Sequence, residues 1–130
     1  MKFLFRNISN KLLFPGINIY ETKFLRKNSA ITLPPIGIFI HSNIKGQERE
    51  LALQHEYGHY LDYLSIFKNS SFAIAVIKFY LKTGLPSLFS AIKNKVRHRS
   101  FKTEIRANKL AVKWFGKNLA PGFKNTYPIK

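Results

Sequence analysis

His55, Glu56 and His59 stand in the order H-E-x-x-H inside the stretch ALQHEYGHYLDY, Ala52 to Tyr63. The chain has four histidines, five glutamates and one aspartate, Asp62, and this short stretch holds four of those ten residues. Residues i and i+4 of an α-helix lie one turn apart on the same face. Two imidazoles placed so can aim their nitrogens at one ion, about 2.0–2.1 Å from each. Glu56 projects beside that face, where it can take a proton from a metal-activated water without being a ligand. By composition alone such a motif arises in on the order of half a percent of chains like this one, so chance is a poor account of it. Leu51, Leu53, Tyr57, Tyr60 and Leu61 flank it and predict a mostly buried helix. A buried His-Glu-His cluster is costly unless something pairs it, and a metal does.

A catalytic zinc site takes three protein ligands and a water. Asp62 lies seven residues beyond His55, about 10.5 Å along a straight helix, too far to share an ion with it. His41 ends a strand and His98 lies in a basic loop, and neither has a companion pattern. Glu104 is the better third ligand. Asn108 follows it four residues later on the same helical face, where it can accept the spare ring N–H of a metal-bound histidine and fix its tautomer. Ala107 and Ala111 are small enough to let this helix approach the histidine helix closely. The expected site is therefore His55, His59 and Glu104 on Zn2+, with Glu56 as general base. Asn108 and Asp62 support it, Asp62 by orienting His59 or by pairing with a basic neighbour.

HEYGH followed by TEIRAN resembles the gluzincin type of zinc metallopeptidase. The likeness is closer to small bacterial metallopeptidase-like domains with an H-E-Y-G-H core, a Gly-Leu-Pro-Ser joint (Gly84–Ser87) and a T-E-x-x-A-N helix ending in Trp-Phe-Gly (Trp114–Gly116). It covers roughly Pro34 to Pro128. It implies two histidines and the base from one helix and a glutamate from a second, followed four residues on by an acidic or amide partner for the first histidine. Asn108 stands where that partner is commonly Asp. The resemblance implies a zincin-like helical core and hydrolysis of a peptide or protein substrate.

The elements that must position these residues can be read along the chain. Pro15-Gly16 marks a turn, and Ile17–Thr22 alternates like a short strand. Pro34-Pro35 turns the chain into a second strand, Ile36–Ile40, rich in β-branched and aromatic residues. In such peptidases an edge strand beside the site binds substrate by backbone pairing, and this strand is placed for that role. A helix is predicted over Lys45–Tyr63, with Ser42 or Asn43 as its cap. Further helices follow over Ser71–Leu81, from Pro86 to about Lys95, and over Thr103–Phe115, where Gly116 stops the last. The tail from Ala120 is expected to wrap the surface. The fold class is mainly α (α+β), one domain over residues 1–130, with residues 1–30 as an N-terminal extension to a core of 34–128.

The chain has no cysteine, so disulfides and thiolate metal sites are excluded. It carries a net charge of +16, from 22 Lys+Arg against 6 Asp+Glu. Such an excess suits an anionic partner. It also accompanies the Lys, Asn, Ile, Phe and Tyr that AT-rich codons supply. The basic residues are dispersed rather than striped, which weighs against nucleic acid and leaves contact with a membrane surface open. The apolar run of the N-terminus breaks at Arg6 and Lys11, so no secretory signal is read. Lys78 and Lys82 break the most apolar stretch below the ~20 residues that span a bilayer, and a cytoplasmic location is the default expectation. Oxyanion donors for a peptidase could come from Tyr60, Tyr63, Tyr80 or His98. The alternatives to a peptidase are a metal-binding domain without turnover and a basic surface-binding protein whose H-E-x-x-H is incidental.

Overall fold

The computed structural model describes residues 5–68, 72–79, 81 and 102–130. The expected helix from Pro86, the Gly84–Ser87 joint, Tyr80 and His98 lie outside these residues. The arrangement is α+β, with helices against a small mixed sheet. The strands are β1 (Phe5–Asn7), β2 (Ile19–Thr22), β3 (Ala30–Leu33) and β4 (Gly37–His41), in the spatial order β1-β2-β4-β3. β2 and β4 run parallel, and the outer pairs are antiparallel. The helices are α1 (Gly46–Lys68), α2 (Phe72–Phe79), α3 (Lys102–Phe115) and the short α4 (Phe123–Thr126), with a 3-10 turn at Gly116–Asn118. No described helix is long and apolar enough to cross a membrane.

The alternation of β2 and β4 explains the layering. Ile19, Ile38 and Ile40 are fully buried on one face of the sheet, against α1 and the α3 side of the core. Tyr57 of α1 is the hub. It packs against Phe14, Tyr60, Trp114 and Phe115, and its hydroxyl donates to the Pro15 carbonyl at 2.7 Å. The first thirty residues, outside the reach of the resemblance, are built into this core through Phe14, Ile17 and Ile19. The tail is built in too. It does not merely wrap the surface, because Phe123 is 1% exposed.

Several local expectations shift. α1 runs on to Lys68, since nothing in Leu64–Lys68 breaks a helix. Asn43, an expected cap, instead clasps Asn28, accepting from its backbone N–H at 3.1 Å and donating its amide to the Asn28 side chain at 2.8 Å. The strand ahead of α1 is not an edge: β4 is paired on both sides, to β2 and to β3. The edge next to α1 is β3, which turns into β4 through the cis Pro34-Pro35 peptide. On the β2 side, the Ile38 N–H donates to the Asn18 carbonyl and the Ser42 N–H to the Thr22 carbonyl, while the His41 N–H donates to the Ser29 carbonyl on the β3 side. By the alternation of an antiparallel ladder, Ala30 and Thr32 therefore turn their backbone N–H and C=O groups to the outer side of β3.

Candidate metal centre

α1 and α3 cross at Gly58. A Cβ built there would stand 2.9 Å from the Ala107 carbonyl carbon and 3.3 Å from the Ala111 Cβ, closer than packed atoms tolerate. Glycine at 58 and alanine at 107 and 111, both 0% exposed, let the two backbones nearly touch. That approach delivers Glu104 and Asn108, one turn apart on α3, to His55 and His59, one turn apart on α1. Asp62 and Arg106 tie the same crossing through two hydrogen bonds of 2.9 Å each.

His55, His59 and Glu104 converge, with one donor atom from each lying within 4.8 Å of the others. Glu104 Oε1 is 2.9 Å from His55 Nε2, and Oε2 is 3.0 Å from His59 Nε2. The rings of His55 and His59 are 5.0 Å apart and nearly perpendicular. Asn108 fixes the tautomer. Its amide nitrogen donates to the Pro128 carbonyl at 2.8 Å, so its oxygen faces His55 Nδ1, 2.5 Å away, and accepts the ring proton. With Nδ1 carrying that proton, Nε2 of the neutral ring presents a lone pair to the Glu104 carboxylate. Two acceptors facing each other in a buried site need a proton or a cation between them.

Burial opposes the charging of His59. The adjacent Glu104 carboxylate outweighs it, with help from Glu56 and Asp62, and holds the pKa up at about 9. The carboxylate of Glu56 stands beside the triad rather than in it. Its Oε2 is 3.7 Å from His55 Nε2, while Oε1 accepts from the Thr32 hydroxyl at 2.8 Å. That hydroxyl also lies 2.8 Å from the Glu56 main-chain oxygen. Two nitrogens and a carboxylate, all neutral or anionic when deprotonated, are a donor set suited to Zn2+. Ligand atoms of a four-coordinate zinc would stand about 3.3 Å apart, so the Glu104 carboxylate, now 2.9–3.0 Å from the two histidine nitrogens, would stand off by a few tenths of an ångström more.

The chain matches no protein-family model, no curated protein and no solved structure. What the site can do therefore rests on its own geometry. Tyr60, an expected oxyanion donor, commits its hydroxyl to the Gly16 carbonyl at 3.0 Å. Tyr63 is buried and packs against Tyr60, and burial raises its pKa. His41 stands apart, its Nδ1 accepting from the Asn43 backbone. Three contributors were not singled out from the sequence. Thr32 holds Glu56, the Tyr127 ring stacks on His55 at 4.2 Å and 9°, and Pro128 anchors Asn108. No spacing signal marks them, because each reaches the site from a distant part of the chain.

Proposed function

We propose that this protein is a zinc-dependent metallopeptidase of the gluzincin type, hydrolysing peptide bonds with Glu56 as general base. The observation that carries the reading is the division of labour around one point. His55, His59 and Glu104 converge as ligands, while Glu56 is held just outside them by Thr32. When bound, zinc supplies a Lewis acid that polarises the scissile carbonyl and acidifies a coordinated water. Glu56 accepts the proton of the attacking water and returns it to the leaving amine. The Thr32 hydroxyl keeps the Glu56 carboxylate turned toward the reacting atoms. Asn108 keeps His55 in the tautomer that offers Nε2. The outward N–H and C=O groups of Ala30 and Thr32 favour an extended peptide pairing along β3, which takes over the role expected of Ile36–Ile40. Thr32 then faces both ways, its backbone toward substrate and its side chain toward the base.

The test is metal content by elemental mass spectrometry together with hydrolysis of a peptide library. Wild type should carry about one zinc per chain, as a single three-ligand site requires. His59→Ala and Glu104→Ala should lose it. Glu56→Gln should keep the metal and lose hydrolysis. Wild type without zinc after reconstitution would overturn the reading. Zinc that is retained without any Glu56-dependent cleavage would reduce it to a metal-binding domain.

A further inference from the structure

We propose that the outer face of the sheet is a docking surface for an anionic phospholipid bilayer. The proposal is independent of the metal site, which lies on the other side of the sheet.

Side chains alternate along each strand. Ile19, Ile38, Ile40 and Thr32 point toward the helices, as does Glu21, which pairs with Arg49 of α1. The alternation then places Phe5, Tyr20, Phe39, Ile31 and Leu33 on the opposite face, together with Asn7, Thr22 and His41; Tyr20, Phe39 and Ile31 form one cross-strand row, and Phe5 meets Phe39 diagonally at 5.6 Å between ring centroids. Phe24 joins them through Phe5, at 5.9 Å between ring centroids. A sheet with one face on the core ordinarily turns polar residues outward. Here a cluster of aromatic and aliphatic groups is turned out, with Phe5 and Phe24 exposed by 47% and 67%. Phe24, Phe5, Phe39 and Tyr20 touch ring to ring, and a clustered apolar surface of this kind marks an interaction site.

Charge identifies the partner. Glu48, Glu50, Glu56 and Asp62 lie on α1 and Glu104 on α3, while Glu21 is turned to α1, so all six acids are on the helical side. Beside the apolar face, the β2–β3 loop exposes Lys23, Arg26 and Lys27. A second copy of this chain would bring its own +16 against the first, which argues against self-association. Nucleic acid stacks on free ring faces. Here Tyr20 and Phe39 stack on each other at 5.2 Å, Phe5 packs against both Phe39 and Phe24, and Ile31 and Leu33 offer no ring. Apolar side chains for the interfacial region, with cations for phosphate and carboxylate headgroups, fit a bilayer surface.

The experiment is vesicle co-sedimentation of the full chain with phosphatidylcholine alone and with about 30% phosphatidylserine, at about 0.1 M and 0.5 M salt. Wild type should partition onto the anionic vesicles only, and less at high salt. Phe5→Ser with Phe24→Ser, both already solvent-exposed, should lower partitioning about tenfold or more while leaving the melting temperature near wild type. Lys23→Gln with Arg26→Gln and Lys27→Gln should do the same. Leu12→Ser, at a 95% exposed site on another surface, should not. The proposal is overturned if wild type ignores anionic vesicles, or if the Phe5/Phe24 variant binds them as wild type does. It is equally overturned if that variant instead loses single-stranded oligonucleotide binding or dimer formation that wild type shows without vesicles.

Discussion

Gly58→Ala puts two physical effects in opposition. In an ordinary helix this change raises stability by about 1 kcal/mol, because alanine is the better helix former. Here the added methyl would fall inside the van der Waals shell of the Ala107 carbonyl, 2.9 Å from its carbon. The obstacle is the backbone of α3, not the flexible end of a side chain, so it cannot swing aside. Relief to an ordinary carbon contact of about 3.5–4.0 Å requires the helices to part by roughly 1 Å. Overpacking of this kind costs about 1–3 kcal/mol, and a rigid obstacle places it at the upper end, so the net effect is a loss of about 2 kcal/mol. The same separation draws Glu104 away from two histidine nitrogens it now meets at 2.9–3.0 Å. Zinc affinity should then fall about tenfold or more. Urea unfolding of the chelated protein gives the first number, and titration against a competing chelator gives the second. A variant as stable as wild type or more so, with zinc affinity within about twofold, would refute the close crossing and the site built on it.

Three further outcomes follow from the same geometry. His59 has its pKa raised from 6.5 to about 9, so in chelated protein its contribution to stability is full below 6.5 and is lost as pH rises through about 9. Zinc binding must displace that proton, so apparent affinity should rise about tenfold per pH unit up to about 9, opposite in sign to the stability trend; a flat affinity profile in this window would contradict the assignment. Asn108→Ala removes the acceptor of the His55 ring proton and should weaken zinc about 10–100-fold, read as a shifted Co2+ absorption titration. Thr32→Val keeps the shape of the side chain and removes the hydroxyl that holds Glu56. Zinc content should be unchanged and kcat should fall about tenfold with little change in KM, the mark of a positioning contact.

The residue types at His55, Glu56 and His59 and the four-residue helical spacing were enough to place two nitrogens and a carboxylate on one stretch of helix. Local periodicity also sufficed for the helix that begins at Lys102, and with it for Glu104 and Asn108 on one face. Alternation and β-branched content marked β2 and β4. The rest depends on contacts between parts of the chain distant in sequence. β1, three residues long, is too short to show a period, and β3 carries no alternation of its own before the Pro34-Pro35 turn; both exist because a neighbour pairs with them. That β4 is interior and β3 the edge follows from strand order, which no local pattern encodes. Thr32 lies 24 residues from Glu56, and Pro128 lies 20 from Asn108. In sequence each is an ordinary loop or strand residue, and only the packed chain gives it a partner. Helical spacing is a local property and so is fixed by the sequence itself; the meeting of α1, α3, β3 and the tail around one point is set by burial and backbone approach, which the tertiary structure alone decides.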